Sequence, residues 1–553
     1  MDGFPYWDMV AVFHRYFQGP VSTFFLFKDN EHLPFVAMPF FYVDMNLFEA
    51  KGYSLIILTL LLNLLIYLIF HRNIARADLA SGRLTVALSA LFFISLFWLF
   101  HWKNLTWPKQ IHMYLSAFFV VFALHLVSRR ETSLPGEITW LPIAMISALM
   151  TLASFSFAYG MIGWIVLLFF AGAMRWPLKY IALIAVFFIL NSVVYAYFYN
   201  YAAMQNHGNP IDYLGSPHLI AEYIVYYFAS PLLALLKPVL PEKIALGISL
   251  PVSAAGCGFA IWGLAKMAFR GRSGRTDSDV FAYLVILFAL GAAGMTALSR
   301  LRFGVEQGLA VRYAIMQVLF WLAIMLLVFR KSDGGAREKR DLSVFVVLAL
   351  SLLFIPSQGY FERQSAESAR RQWDATLALV NHADDRKMIE ANIFPRMELA
   401  EYVSKNLAAR GWSVYSQPQP WWIGRDISGL FAVSDRTACQ GFLGRVDDLG
   451  RLQNAYHVSG WAYDVSAETP PEWVIIADAG GRIVGLGRSG LVREDVPQAK
   501  PEIHSSRTGW RGYIPADSPL ESLKAYAVLS DGGTICELNR TRRSMAPETN
   551  AKP

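Results

Sequence analysis

The stretch SRLRFGVEQGLAVRY, residues 299–313, carries Arg300, Arg302, Arg312 and one carboxylate, Glu306, between two strongly apolar runs at 278–298 and 313–329. Apolar runs of that length joined by a short polar stretch read as two membrane helices with a charged mouth. Three guanidiniums at that depth are costly unless they meet an anion. The planar fork of arginine suits a phosphate. Glu306 and Gln307 stand where they could orient the guanidiniums or read sugar hydroxyls, and Tyr313 follows Arg312 directly. The plainer reading is positional: arginines at a helix end snorkel to lipid headgroups.

Composition agrees with a membrane setting. Of 553 residues, 55% are hydrophobic and only 16% charged, against about 25% charged in soluble domains. Mean hydropathy is +0.36. The net charge of +7 is concentrated in short loops between apolar runs, which makes it a topology signal and not a nucleic-acid footprint. The bilayer is therefore the expected partner, with no nucleic acid. No G-x-x-x-x-G-K-[ST] and no dinucleotide-binding glycine fingerprint occurs, so neither P-loop ATP-driven transport nor a cytosolic nucleotide-sugar domain has support. Residues 1–20 lack a basic region followed by a continuous apolar core, so no signal peptide is expected. No cofactor is indicated; a divalent metal is compatible with the residue types, but no ligand spacing supports one.

Taken in order, residues 1–52 are amphipathic, aromatic-rich and interrupted by Pro and Gly, with Asp8, Glu31, His32 and Asp44. They read as one or two short helices at the membrane surface. Spans follow near 53–70, 84–101, 111–128, 138–158, 161–174, 178–199, 244–269, 278–298, 313–329 and 341–356. Residues 219–238, broken by Pro231 and Pro238, are expected to dip into the membrane or lie along it. The arginine-rich loops, RGRSGR at 270–275 and FRKSDGGAREKR at 329–340 foremost, belong in the cytoplasm. That orientation puts residues 1–52, the arginine mouth and everything after 357 on the outer face. A helical linker is expected over 357–438. Short alternating runs with Gly turns over 439–540 predict an all-β sandwich, and 541–553 a disordered tail. The fold class is thus a polytopic α-helical membrane protein of about ten spanning helices, plus surface or re-entrant helices, followed by a periplasmic all-β sandwich. Cys439 and Cys536 bracket the β segment, and export favours a disulfide between them over two unrelated thiols.

Three further constellations carry chemistry. Asp8 in YWDMV could serve as general base on a hydroxyl acceptor, or cap a short helix. Asn30, Glu31 and His32 set an amide and two titratable groups side by side, fit for sugar hydroxyls or a phosphate, or for an ordinary polar turn. In GWAYD (460–464) and GWRGY (509–513), Trp461, Asp464 and Trp510 could receive a sugar; a tryptophan in such a domain is equally at home in its core.

On these residues the chain resembles bacterial integral-membrane glycosyltransferases of the GT-C type. The likeness rests on Asp8 in the first segment, the Asn30–His32 triplet, SFAYGMIGW at 156–164, EQGLAVRY at 306–313, and the 460–496 stretch. That last stretch looks like the jelly-roll, carbohydrate-binding-like domain appended to some of these enzymes. Together these motifs span nearly the whole chain. The resemblance implies an inverting transfer from a polyprenyl-phosphate-linked sugar donor to a glycan or lipid acceptor on the periplasmic side of the inner membrane. Asp8 would deprotonate the acceptor, and the arginines would hold the departing lipid phosphate. Such enzymes usually place a span ahead of the acidic segment, whereas here Met1 lies almost at Asp8.

Overall fold

The computed structural model describes residues 4–28, 32–77, 79, 81–129, 140–199, 213, 215–270, 275–330, 337–449, 455–518 and 520–540. The chain forms two compact units. A helical unit comprises 20–44 and 52–365; a second unit comprises 1–19, 45–51 and 366–553. The 541–553 tail lies outside the described residues.

In the helical unit the apolar runs form long helices, which satisfy their backbone polar groups within the segment. Among the described residues nine helices are long and apolar enough to cross a membrane, compatible with a multi-pass membrane protein. The expected number was about ten, and the difference has two sources. Among the described residues the runs at 138–158 and 161–174 form Trp140–Ser154 and Tyr159–Ala173, 15 residues each. Tyr159–Ala173, with described residues at both ends, is about 22 Å of helix, short of a hydrocarbon core of about 30 Å. Between them the chain turns so tightly that a Cβ on Gly160 would lie 2.2 Å from backbone atoms of Ala153 and Ser154. The runs were expected to part at 159–160; the structure parts them at 155–158.

Conversely, the 219–238 run, expected to dip into the membrane or lie along it, forms one continuous 20-residue helix, Pro217–Leu236, through Pro231, and it is among the nine by length and composition. Neighbouring segments supply hydrogen bonds around the proline. Trp321 Nε1 donates to Phe228 O at 2.8 Å and Ser230 Oγ to Leu309 O at 2.9 Å, the usual way a proline is tolerated in such a helix. The run at 341–356 likewise does not stop: one helix of 44 residues extends over Arg337–Val380, so the expected boundary at 357 falls inside it. Asp44 caps its neighbour, accepting from Gly52 N at 3.0 Å and Ser54 Oγ at 2.6 Å at the start of the Tyr53–Arg76 helix.

The second unit is β-rich. Its strands are β1 (Ala432–Val433), β2 (Cys439–Asp448), β3 (Ala455–Asp464), β4 (Trp473–Ala477), β5 (Ile483–Leu491), β6 (Gly509–Pro515), β7 (Lys524–Val528), β8 (Thr534–Glu537) and β9 (Asn539–Arg540). They form one nine-stranded sheet in the order β1-β8-β7-β4-β5-β6-β3-β2-β9, where two packed sheets were expected. Period-2 alternation is the same in either architecture, so it could not distinguish them. The sheet rolls into a half-barrel. Cys439 on β2 and Cys536 on β8, near opposite ends of the order, are joined by a disulfide with Cα atoms 5.9 Å apart. The chain from Thr534 to Arg540 pairs first with β7 and then with β2, drawing the two ends together. Bulges in the β2–β3, β4–β5 and β5–β6 pairings give the curvature. The interior is filled by Leu443, Val458, Val474, Ile476, Trp510, Ile514 and their neighbours.

Helices of the same unit pack on this sheet through polar contacts. Asn381 accepts from Leu486 N at 2.7 Å and donates to Leu486 O at 3.2 Å, completing a strand-like pairing. Arg511 donates to Asp374 at 3.1 Å and Tyr513 to Asp385 at 3.0 Å. His457, beside Tyr513 with ring centroids 5.4 Å apart, is pushed down to about 4 by burial and by the Arg511 charge. The unfolded chain therefore binds more protons than the folded one between about pH 6.5 and pH 4. Stability is fully present above the unfolded value and falls as pH drops through this window. A loss of up to about 3 kcal/mol is expected across it. Melting temperature measured against pH checks this: the slope attributable to the window should vanish in His457→Gln.

Candidate functional site

The arginine mouth is built from three short 3₁₀ turns, Leu301–Phe303, Val305–Leu309 and Val311–Tyr313, leading into the Ala314–Val328 helix. Gly304, at φ 90°, makes the reversal after the first turn, a conformation that L side chains rarely adopt. Three side chains fasten the loop. Asn104 donates to Val311 O at 3.1 Å and Arg312 O at 3.2 Å, Gln317 to Gly308 O at 3.1 Å, and Ser230 to Leu309 O at 2.9 Å. Gly308 lies against the Pro217–Leu236 helix so closely that a Cβ would meet Tyr223 O and Tyr227 N, each at 2.9 Å. The mouth is thus a fixed loop held by helices distant in sequence.

Its charges are graded by depth. Arg302, Glu306 and Arg312 are exposed; Arg300 and Gln307 are half-buried. Arg302 covers the Phe303 ring at 4.9 Å and Arg312 the Tyr313 ring at 5.6 Å. Next to Arg300 lies a group of phenols that the sequence reading did not single out. Tyr159, Tyr223, Tyr227 and Tyr313 are all 5% exposed or less. Tyr227 stacks on Tyr313 with centroids 5.5 Å apart, and Tyr159 and Thr296 hydroxyls meet at 3.0 Å. Tyr159 and Tyr223 both feel the Arg300 charge. The hydroxyls of Tyr223, Tyr227 and Tyr313 interact at a distance but close no well-formed hydrogen bond. Buried polar groups are ordinarily satisfied, so three such phenols beside a guanidinium mark a place suited to accepting a polar, anionic group. Tyr159 stands inside the 156–164 motif, and Tyr223 and Tyr227 lie four apart in a helix. Within apolar runs, however, tyrosine reads simply as an interface residue.

His32 joins the same unit. Its ring lies 3.8 Å from that of Phe157, which also contacts His112 at 4.9 Å and Tyr159 at 4.8 Å. His112 donates through Nδ1 to Lys109 O, and Lys109 is itself buried. Ring contacts therefore run from His32 through Phe157 to Tyr159. Asn30 and Glu31 lie outside the described residues.

Asp8 belongs to the other unit. It opens the Asp8–Gln18 helix, in whose first turn its charge complements the helix dipole. That helix packs on Met397–Arg410: His14 meets Tyr402 at 5.2 Å, and Arg410 covers Phe17 at 4.6 Å. The 1–52 segment, expected as one or two short surface helices, is thus divided between the two units.

In the half-barrel, Trp510 is fully buried in the core, and Trp461 packs against Phe442 with centroids 5.7 Å apart. Asp464 is consumed by turns: one oxygen accepts from Ser466 N and Ala467 N at 3.0 and 3.1 Å, the other from Ser530 N and Oγ at 2.9 Å each. The rings of Trp461 and Trp510 offer no exposed face for a sugar to stack on. Among the described residues no group of three or more His, Cys, Asp or Glu side chains is arranged to hold a metal ion. Comparison with known proteins adds no relative: no family model, curated protein or solved structure matches this chain.

Proposed function

We propose that this chain is a glycosyltransferase of the bacterial inner membrane. It moves a hexosyl or pentosyl group, with inversion, from a polyprenyl-phosphate carrier to a cell-envelope glycan or lipid acceptor, and its half-barrel stands in the periplasm. The observation that carries the reading is Arg300 beside buried phenols and Thr296, at the mouth of long apolar helices. A lipid-linked phosphate has the matching chemistry: an anion to meet guanidiniums and an apolar tail to lie along helices. In the transfer, the acceptor oxygen forms a bond to the anomeric carbon as the bond to the phosphate oxygen breaks. The phosphate leaves with the electron pair, held by Arg300 with Arg302 and Arg312, and the acceptor proton passes to Asp8.

The test is to incubate membranes containing the protein with labelled polyprenyl-phosphate sugars and follow where the label moves. Asp8→Asn should reduce transfer at least about 100-fold with the protein still inserted; undiminished transfer would remove Asp8 as the base. The position of Asp8 in the first turn of a helix favours a second reading, a non-catalytic transporter or assembly factor for lipid-linked envelope polysaccharide. There Asp8→Asn is silent while the arginine variants still lose carrier binding.

A further inference from the structure

The hydrogen-bond directions among the buried groups behind the arginine mouth say what kind of ligand atom they lack. Thr296 Oγ1 donates its proton to Ala292 O at 2.7 Å. A hydroxyl has one proton to give, so in the 3.0 Å contact between the Thr296 and Tyr159 hydroxyls the donor is Tyr159. What remains to Tyr159 is the capacity to accept. Gln317 is in the same position. It is fully buried, and its Nε2 donates to Gly308 O at 3.1 Å. Gly308 is the loop residue seated against Tyr223 O and Tyr227 N. The Gln317 Oε1 atom is buried with no hydrogen-bond partner, and an amide oxygen only accepts.

The hydroxyls of Tyr223, Tyr227 and Tyr313 are buried too and close no well-formed hydrogen bond. Each can both donate and accept. The set as a whole therefore lacks donors as well as acceptors. A phosphate or carboxylate oxygen supplies no proton, so an anion alone leaves Tyr159 and Gln317 unanswered. A sugar hydroxyl, donor and acceptor at once, serves both kinds of partner. A charge carried on the ring itself would be costly here, since buried charge needs a counter-charge and hydrogen bonds of its own. Arg300 is the charge that acts on Tyr159 and Tyr223, and the donor phosphate has first claim on it. Arg302, Glu306 and Arg312 are exposed.

We propose that the phenols and Gln317 form the subsite for the transferred sugar, and that this sugar is an uncharged, polyhydroxylated ring. The proposal rests on the reading of the helical unit as a polyprenyl-phosphate-dependent transferase and narrows its donor. The phosphate lies at Arg300, and the ring hydroxyls bond to Tyr223, Tyr227 and the acceptors on Tyr159 and Gln317.

Affinity of the full chain in lipid nanodiscs for a polyprenyl phosphate tests this, with the carrier bare or bearing glucose, galactose, mannose, arabinose or glucuronate. At least one neutral sugar should tighten binding about tenfold or more over the bare carrier, as two or more hydrogen bonds would. Glucuronate should not. Tyr223→Phe and Tyr227→Phe should each weaken the neutral-sugar carrier about threefold to tenfold and leave the bare carrier as it was. In ligand-free protein both variants should keep the native melting temperature, because the deleted hydroxyl closes no bond there; a lowered one would make the phenols structural and overturn the proposal. Neutral sugars that add nothing to the bare carrier, a glucuronyl carrier as tight as the neutral ones, or neutral-sugar binding indifferent to both substitutions also overturns it. In each of these cases, bare-carrier binding that Arg300→Gln weakens leaves the carrier reading standing. Failure of every carrier to bind overturns that reading, and the proposal with it.

Discussion

Replacing Cys439 and Cys536 together by alanine should lower the unfolding free energy of the half-barrel by about 4–5 kcal/mol. The bond closes a segment with a sequence separation of 97, and constraint of the unfolded chain over a loop of about 100 residues is worth roughly that much. Its position makes the loss specific. The bond joins strands near opposite ends of the sheet, where the seam is otherwise held by the short β2–β9 pairing, the hydrogen bond from Leu538 N to Ala525 O, the Arg436–Glu537 ion pair and core packing. For a domain of about 100 residues the shift corresponds to roughly 15–30 °C. Thermal unfolding of the full chain followed by near-ultraviolet dichroism, with and without reductant, checks this. Reductant should shift the native protein and leave the alanine pair unmoved. An unchanged transition in the alanine pair would mean that the seam closes on strand pairing alone.

Arg300→Gln should reduce sugar transfer by about 100- to 1,000-fold, the usual loss when a buried donor to a developing negative charge is removed. Arg302→Gln and Arg312→Gln should cost only about tenfold each, because an exposed charge interacts through a high effective dielectric. The grading follows from depth, since Arg300 is half-buried beside the phenols whereas the other two are exposed. Rates from labelled polyprenyl-phosphate sugar, with carrier binding measured in parallel, decide the matter. Equal losses at all three positions would mean that the phosphate sits out at the rim and not beside the tyrosines.

The legible part of this site was the charge. Arg300, Arg302 and Arg312 stood out because guanidiniums between apolar runs have few innocent explanations. The phenols did not stand out, because burial separates a tyrosine in a polar cluster from one at a lipid interface, and burial is a property of neighbours. Tyr159, Tyr223 and Tyr313 come from three stretches of chain that only packing brings to Thr296 and Arg300. Asp8 was legible only as a residue type. An acid among aromatics reads as poised for chemistry, and the structure adds that it stands in the first turn of the Asp8–Gln18 helix.

By itself the sequence determined that long apolar helices precede a β-rich segment, since hydrophobic runs and alternation are local patterns. It also marked the two cysteines as a pair. Only the tertiary structure decided that Pro217–Leu236 runs unbroken through Pro231, because the bonds around the proline come from Trp321 and Leu309. It alone placed the break between the two short helices at 155–158 and brought Gly160 against Ala153 and Ser154, a close backbone approach that hydropathy does not record. And it alone decided that the strands make one rolled sheet. Alternation records which side of a strand is buried, but not whether that side meets another sheet or the far end of its own.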